Sequence, residues 1–279
     1  MKIKLICDSL CDVPSELIKK YDIDIIPLNI IIGENEYKEG VDITNDEFYR
    51  RMKEEKVVPK TSQATYIQFK EAFDKYVGKY PIVCITGSSK SSGTYQSAVM
   101  AKNDTEGEIH VFDTLTLSLG SAQFVVKACE LIENNNEITA KEIINGLESL
   151  RSSVRLYFLP DTLEYLQRSG RASLATATIG QMLNIRPLFT VEDAKIFILT
   201  KIRGKKHVVH TMVDILIEQF DTLEDKNIII GCGANLVDFE TLKKEVENRI
   251  KCKNIYFTRG GACICSHTGP DILAISCSN

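Results

Sequence analysis

The chain of 279 residues lacks an apolar run near the roughly 20 residues needed to cross a bilayer. It also lacks a Gly-x4-Gly-Lys-Ser/Thr nucleotide loop, a His-Glu-x-x-His zinc motif and a Gly-x-Ser-x-Gly nucleophile elbow. Residues 231–236 sit between a strand and a helix like a dinucleotide fingerprint, but Leu236 stands where a glycine or alanine belongs. These absences argue against stable membrane insertion and against several common classes of enzyme.

Excess positive charge is missing too, since 34 Lys and Arg against 38 Asp and Glu give a net charge of −4. A nucleic-acid partner requires a basic face, so we expect none. The nine cysteines include no Cys-x-x-Cys pair, and Cys263-Ala-Cys265 has no second pair to complete a metal site. Residues 1–8 are too short and too soon charged for a secretory signal. We therefore expect reduced structural thiols, no metal and a cytoplasmic location.

Strand-like and helix-like segments alternate through the first half of the chain. Residues 2–7, 82–85 and 109–112 are buried-strand patterns with helical patterns between them. This βαβ character predicts a largely parallel sheet flanked by helices. Ligands bind such sheets at the carboxyl ends of the strands.

The pattern changes after residue 154. A strand at 154–159, a hairpin around residues 192–194 and a strand–helix–strand pattern then follow, and the end of the chain, from residue 260, is rich in small residues. We interpret the chain as an α/β protein with two α/β domains. The predicted domains are residues 1–154 and residues 155–279.

Local signals refine this outline. The β-branched run at 23–32 predicts one long strand that ends in a hairpin turn at 33–35. Thr44 and Thr139 are each followed three residues later by Glu, which predicts two capping boxes. Residues 59–63 are predicted to be a loop.

The segment at residues 88–94, Ser-Ser-Lys-Ser-Ser-Gly-Thr, connects a buried strand to a helical pattern. Backbone N–H groups at a helix start, with hydroxyls added, form a cup for an anion. A polar turn with one helix cap is the alternative, but five hydroxyls in seven residues exceed what one cap needs. The expected guest is a small anion or the anionic end of a longer molecule.

Three further polar segments are candidates for the same site: Thr61-Ser62-Gln63, Arg168-Ser169-Gly170-Arg171 and His267-Thr268-Gly269-Pro270. Each also has an ordinary explanation, respectively a helix cap, a solvated loop and a structural histidine. Arginine is nevertheless the preferred partner of carboxylates and phosphates. A basic cluster, defined as Lys201, Arg203, Lys205 and Lys206, is either a solvated surface or a docking patch.

Taken together, these segments resemble the DegV family of bacterial fatty-acid-binding proteins. The resemblance spans nearly the whole chain and adds three matches: Asp8-Ser9, residues 92–98 (Ser-Gly-Thr-Tyr-Gln-Ser-Ala) and Ile185-Arg186-Pro187. Four positions depart from the family pattern: Ala64 replaces Pro, Ser91 replaces Leu, Ser169 replaces Gly and Asp271 replaces Gly. Asp271 adds a negative charge near the expected headgroup.

The resemblance implies one long-chain fatty acid, such as palmitate, bound between the two domains. It implies that Thr61 and Ser92 hold the carboxylate. The remaining residues near the headgroup would be Ser62, Gly93, Thr94, Arg171 and His267. It further implies a carrier without catalytic residues, metal or cofactor, which presents its fatty acid to a separate fatty acid kinase for acyl phosphate formation. The expected lining for the tail is the apolar stretch 179–189 together with nearby strands.

Two other functions remain open from the sequence. The first is a phosphotransferase for a small polyol or sugar, with His267 as the residue that carries the phosphoryl group. The second is a regulatory module that senses a lipid and binds another protein through the basic cluster.

Overall fold

The computed structural model describes residues 2–170 and 184–279. Within these ranges the strands are β1 (Lys4–Asp8), β2 (Asp24–Ile26), β3 (Asn29–Ile32), β4 (Asn35–Lys38), β5 (Lys60–Ser62), β6 (Ile82–Thr86), β7 (Ile109–Asp113), β8 (Arg155–Leu159), β9 (Ile185–Glu192), β10 (Lys195–Arg203), β11 (Asn227–Cys232), β12 (Asn254–Arg259) and β13 (Leu273–Cys277). The α-helices are α1 (Ser15–Tyr21), α2 (Asn45–Glu54), α3 (Tyr66–Tyr76), α4 (Thr94–Asn103), α5 (Leu119–Asn134), α6 (Ala140–Leu150), α7 (Glu164–Ser169), α8 (Val208–Glu218), α9 (Leu236–Arg249) and α10 (Ala262–Thr268). The sequence pattern at residues 174–183 also predicts a helix, and that segment lies outside the described residues.

The first sheet is parallel and has the strand order β2-β1-β6-β7. Every residue of β1 and β6 is buried, as expected for parallel strands covered on both faces. Even Lys4 is buried, with its Nζ 2.7 Å from Asp24 and 3.0 Å from Asp22. The predicted parallel sheet flanked by helices is confirmed, and the carboxyl ends of β1, β6 and β7 share one edge.

A second, small sheet of three strands is antiparallel and has the strand order β4-β3-β5. The prediction of a single strand at 23–32 was wrong, because β2 and β3 belong to different sheets. They are separated at Pro27, which has no N–H for a strand ladder. The loop predicted at 59–63 was also wrong, since Thr61 pairs with Ile30 within β5 and β3. The hairpin turn at 33–35 is confirmed, with Gly33 at φ +63°.

The third sheet is mixed and has the order β10-β9-β8-β13-β11-β12. Its β9–β10 hairpin turns at Asp193 and Ala194, which both have positive φ as a tight two-residue hairpin turn requires, and so confirms the predicted hairpin. The sequence analysis assigned no helix or strand to the small residues from 260 onward. In the structure they form α10 and the central strand β13. This sheet begins at Arg155, while the division into two domains stays a prediction.

Helix α5 lies between the two larger sheets and contacts β6 on one side and β11 and β13 on the other. Ten of its first eleven residues are buried, so this part of the helix is buried around its circumference rather than along one stripe. A continuous buried cluster runs from the parallel sheet to Phe158 and Phe189 of the mixed sheet. Helix α5 therefore fixes how the two sheets face each other.

Helix caps follow the sequence in part. Thr139 and Glu142 form the predicted capping box at α6. Thr44 caps α2 by accepting from the Glu47 N–H, but the Glu47 carboxylate pairs with Arg50, so this predicted box is only half formed.

Two sequence-based expectations concern membranes and cysteines. Across residues 2–170 and 184–279, no helix is long and apolar enough to cross a membrane. All nine cysteines are free thiols and eight of them are buried, which confirms their structural character.

Candidate functional site

The loops that follow β1, β6 and β7 are joined at the carboxyl edge of the parallel sheet. The Gly87 N–H donates to the Asp8 carboxylate at 3.0 Å, and the Ser89 N–H donates to the Asp113 carboxylate at 3.1 Å. The start of the hydroxyl-rich loop is therefore fixed by the neighbouring strands on both sides.

A cavity of about 520 Å³ opens at this edge. Its polar lining includes Thr61, Ser62, Ser92, Gly93, His267 and Thr268. Its apolar lining includes Leu10, Leu28, Leu117, Leu166, Ile196 and Ile264. The volume falls within the range of small-molecule sites, about 300–1,000 Å³. Segments far apart in sequence thus meet around one cavity that combines hydroxyls with branched apolar side chains.

Ser92 occupies the turn that starts α4. Its Oγ lies 2.8 Å from Thr94 Oγ1 and accepts from the Thr94 N–H at 3.3 Å. A Cβ at Gly93 would lie 1.9 Å from Oε1 of Gln63, so a larger residue there would displace the Gln63 side chain. Gln63 in turn donates to Ser97 Oγ at 3.0 Å, so the segment 61–63 packs directly on the start of α4.

Thr61 and His267 meet from opposite parts of the chain. Thr61 Oγ1 lies 2.9 Å from Nε2 of His267, near the end of α10, and both residues are half-buried in the cavity wall. Because Thr61 belongs to β5, the strand missed in the sequence, its position is fixed by a backbone ladder rather than by a loop.

The structure thus brings five of the predicted site residues to one cavity: Thr61, Ser62, Ser92, Gly93 and His267. Thr94 is fully buried and stands directly behind Ser92. Arg171 lies outside the described residues. The roles assigned to all of these residues stay predictions.

The start of α10 is held by two buried carboxyl groups that the sequence analysis did not single out. The Gly261 N–H donates to Asp12 and the Cys263 N–H donates to Glu39, each at 2.8 Å. The hydroxyls of Ser118 and Ser9 donate to the same two carboxyl groups, respectively. The helix that carries His267 is therefore anchored to the parallel sheet and to the start of α5.

Burial dominates the electrostatics of these acids. It raises the pKa of Asp12 to about 8 and that of Glu39 to about 7, while the hydrogen bonds from Ser118 and Ser9 oppose the shift. Asp8, beside them, has its pKa raised to about 7 for the same reason. The motif Asp8-Ser9 was the available sequence signal, since Ser9 links Glu39 to the Leu28 N–H.

Two of the departures from the family pattern find local partners, and a third lines the cavity. Asp271 pairs with Lys53 at 3.0 Å, so its charge is compensated. Ser169 donates to the Leu166 carbonyl at 3.1 Å. Ser91 lines the cavity, adding a hydroxyl where an apolar side chain was expected.

The glycine-rich segment 231–236 serves packing. A Cβ at Gly233 would lie 1.9 Å from the Pro270 carbonyl oxygen, and the Gly233 N–H donates to the Ile272 carbonyl at 3.0 Å. The glycine allows the end of β11 to approach the turn after His267. This explains a fingerprint-like sequence without a dinucleotide.

The apolar lining was largely missed from the sequence. Within the stretch predicted to hold the tail, residues 179–183 lie outside the described residues. Leu188 and Phe189 do not line this cavity, because both are buried in the cores, with Phe189 stacked on Phe158 at 5.4 Å. Leu10 and Leu117 follow the ends of β1 and β7, so the rule that strand ends carry ligand residues was the usable signal.

The basic cluster is exposed, and Lys205 pairs with Asp238 at 3.2 Å. In the part of the chain that the structure describes, no group of three His, Cys, Asp or Glu residues is arranged to hold a metal ion.

The sequence is similar to one protein family over nearly its whole length. The sequence model described as "Uncharacterised protein, DegV family" matches residues 2–279. A DegV domain-containing protein of Caldanaerobacter subterraneus subsp. tengcongensis is 32% identical over 280 residues, covering 98% of each chain. A second such protein, from Clostridium perfringens, is 34% identical over 284 residues and covers 98% of this chain and 97% of its own.

Solved structures with the same fold are described as lipid-binding proteins. A fatty-acid-binding DegV family protein from Thermus thermophilus aligns with a TM-score of 0.91 at 26% identity, covering 100% of both chains. A stearic acid-binding protein from Eubacterium ventriosum also gives 0.91, at 27% identity, covering 99% of this chain and 98% of its own.

Proposed function

The chain belongs to the DegV family, and from that premise we propose that it binds one long-chain fatty acid, such as palmitate. The observation that carries the proposal is the single cavity in which Thr61, Ser92 and His267 meet apolar side chains. Fatty-acid binding by the Thermus relative and stearic acid binding by the Eubacterium relative support the same ligand class.

In this proposal the carboxylate accepts hydrogen bonds from Thr61 and Ser92. Hydrogen bonds to an ionised acceptor are stronger than those between neutral groups. The Thr61–His267 contact at 2.9 Å puts an imidazole within reach of the same headgroup. Ser62, Gly93, Thr94 and Arg171 complete the proposed surroundings.

The tail supplies most of the affinity. Burying roughly 15 methylenes at about 0.8 kcal/mol each contributes about 12 kcal/mol before costs. Several kcal/mol of this offset the ordering of the chain and the loss of free motion. The apolar residues that serve this role are Leu10, Leu28, Leu117, Leu166, Ile196 and Ile264.

The second half of the proposal is that the bound acid is presented to a separate kinase. A carboxylate held by neutral hydroxyls keeps its charge and stays accessible, whereas a tight bidentate arginine clamp would make it a poorer nucleophile. One carboxylate oxygen attacks the γ-phosphoryl group of ATP on the kinase, giving acyl phosphate and ADP. The nucleotide and its magnesium belong to the kinase, and this chain acts as a carrier without a complete active site.

Native mass spectrometry of the protein as purified, combined with solvent extraction, tests the ligand class. We expect one bound acid of C14–C20 per chain, or one palmitate after delipidation and reloading. A protein that stays ligand-free through reloading would overturn the proposal. Intact mass after incubation with a phosphodonor separates the phosphotransferase alternative, which requires a phosphorylated His267.

The carrier role is tested in a coupled assay with a fatty acid kinase that accepts the wild-type carrier. We expect His267→Ala to lower acyl phosphate formation more than it lowers palmitate retention, because His267 contacts Thr61 rather than the tail. Unchanged turnover would remove His267 from the headgroup site. The same comparison with Arg171→Ala tests the other headgroup residue that the family resemblance indicates.

A further inference from the structure

Lys90 lies in the wall of the cavity and carries a positive charge at neutral pH. We propose that Lys90 selects the phosphorylated headgroup, because it pairs more strongly with the phosphate of a bound acyl phosphate than with the carboxylate of the free acid. The inference rests on the proposed function and deepens it, since it assigns a specificity-determining residue to the product of the phosphoryl transfer.

Apart from Lys90, the described lining of the cavity consists of neutral residues and His267. Lys90 takes part in none of the ion pairs that the described residues form. The residues outside the described ranges, 1 and 171–183, include no Asp or Glu. The Lys90 ammonium group is therefore available to an anionic ligand.

The backbone that carries Lys90 is held by a hydrogen-bonded turn. The Lys90 N–H donates to Ser88 Oγ at 3.2 Å, and the N–H groups of Ser91 and Ser92 donate to the Ser88 carbonyl at 3.0 and 3.1 Å. Ser88 is buried, and its own N–H donates to the Thr116 carbonyl at 2.9 Å. Lys90 itself is exposed. The side chain thus starts from a fixed point at the cavity, while its ammonium group lies in water.

This exposure explains why Lys90 does not clamp the carboxylate of the free acid. The proposed carboxylate partners, Thr61 and Ser92, are half-buried, whereas Lys90 is exposed. Water and salt screen the attraction between an exposed ammonium group and a single negative charge, so one such pair contributes little. The free acid therefore remains held by hydroxyls and accessible for attack on a phosphoryl group.

Phosphorylation changes both the charge and the reach of the headgroup. A phosphate group on an ester oxygen carries about −1.5 to −2 charge at pH 7, against about −1 for a carboxylate. The phosphoryl group arrives from a separate kinase, so it is added on the solvent side of the carboxylate, where Lys90 is exposed. Lysine binds phosphate as a compact point charge with three donors. Ser91, a hydroxyl where the family pattern has leucine, lies in the same wall and adds a further donor.

The test compares Lys90→Gln, which removes the charge, with Lys90→Arg, which keeps it. For each delipidated variant we would measure the affinity for palmitate and for 2-oxoheptadecylphosphonate, in which a methylene group replaces the bridging oxygen of palmitoyl phosphate. We expect the phosphonate-to-palmitate affinity ratio to fall about tenfold in Lys90→Gln, equivalent to about 1.4 kcal/mol, and to stay within about twofold in Lys90→Arg. Lys102→Gln, an exposed position of α4 outside the cavity lining, is the control.

Salt dependence separates charge pairing from a structural role of Lys90. The wild-type ratio should fall as sodium chloride is raised from about 0.05 to about 0.5 M, because salt screens exposed charges, and the Lys90→Gln ratio should change less. Equal ratios in the wild type and Lys90→Gln, with palmitate bound by both, would overturn the role of Lys90 alone. A wild type that binds no palmitate would overturn the proposed function and this inference with it.

Discussion

Two hydroxyl groups, Thr61 and Ser92, reach the cavity from different structural supports. Thr61 is held in a strand ladder opposite Ile30, and Ser92 is held by its contacts with Thr94 at the start of α4. Each support lies outside the cavity itself. A headgroup bound here therefore meets donors whose positions are set before binding, which lowers the ordering cost of association.

We expect the double variant Thr61→Ala with Ser92→Ala to weaken palmitate binding without abolishing it. Two hydrogen bonds to a charged group, at about 1.5–3 kcal/mol each, account for a fall of about 10²- to 10⁴-fold, whereas the tail supplies the larger share. Calorimetric titration of the delipidated protein measures this, with Ser149→Ala on the exposed face of α6 as the control. Abolished binding by a folded double variant would contradict the division between headgroup and tail.

The buried acids give a second prediction at this scale. Burial raises the pKa of Asp12 to about 8, and of Asp8 and Glu39 to about 7, whereas unfolded Asp and Glu ionise near about 4. Between these values the folded state binds more protons than the unfolded state. The free energy of unfolding should therefore fall as pH rises from 5 to 8.

Asp12→Asn should make this decline shallower by at least about 1 kcal/mol, the value of roughly one pKa unit. Urea unfolding at pH 5.5 and pH 8.5 measures the decline, and Asp221→Asn on the surface is the matched control. Equal declines in the wild type and Asp12→Asn would show that Asp12 is not protonated in the folded state.

At the scale of elements, periodicity and caps predicted the parallel sheet, the β9–β10 hairpin and the start of α6. The boundaries of β2 and β3 and the existence of β5 depend instead on which strands pair with each other. The run at 23–32 looks continuous because both strands are β-branched, and only the separation into two sheets distinguishes them. Likewise β5 has three residues, too few for a period, and exists because β3 offers a ladder.

The candidate site was predictable to the same extent. Hydroxyl clusters and a histidine at a rigid turn are visible in the sequence, and five of the predicted site residues line one cavity. The apolar lining has no comparable signal, since Leu28 or Ile196 is identical in type to many core residues. Which apolar side chains face a void depends on how the sheets pack around α5.

One wall of the cavity belongs to the β9–β10 hairpin. Ile196 lines the cavity, and its antiparallel partner Val191 lines a neighbouring cavity of about 490 Å³. Directly paired residues have Cβ atoms about 5 Å apart. Likewise Leu117 lines the first cavity and Thr116 the second, so the wall is about one side chain thick.

Ile196→Ala should therefore admit longer tails. The substitution removes three side-chain carbons, so we expect the preferred acid to lengthen by about two methylenes. Each additional buried methylene contributes about 0.8 kcal/mol to binding. Competition among C14–C22 acids, read by native mass spectrometry, measures the profile. Leu199→Ala is the control, since Leu199 is on the same strand and 40% exposed. An unchanged profile in Ile196→Ala would place the end of the tail elsewhere.

At the scale of the whole molecule, the cavity is lined by residues from several separate parts of the fold. The carboxyl edge of the parallel sheet contributes Leu10 and Ser92, the small antiparallel sheet contributes Thr61, and segments after residue 154 contribute Ile196 and His267. Helix α5 and the carboxyl groups at the start of α10 hold these parts together. A ligand that fills the cavity binds the folded chain alone and must stabilise it in proportion to its concentration.

The most direct measurement is a crystal structure of the delipidated protein reloaded with palmitate. We expect one acid per chain, with its carboxylate within hydrogen-bond distance of Thr61 Oγ1 and Ser92 Oγ and its tail against Leu117 and Ile196. Palmitate bound in the reverse direction, or seated away from this cavity, would contradict it.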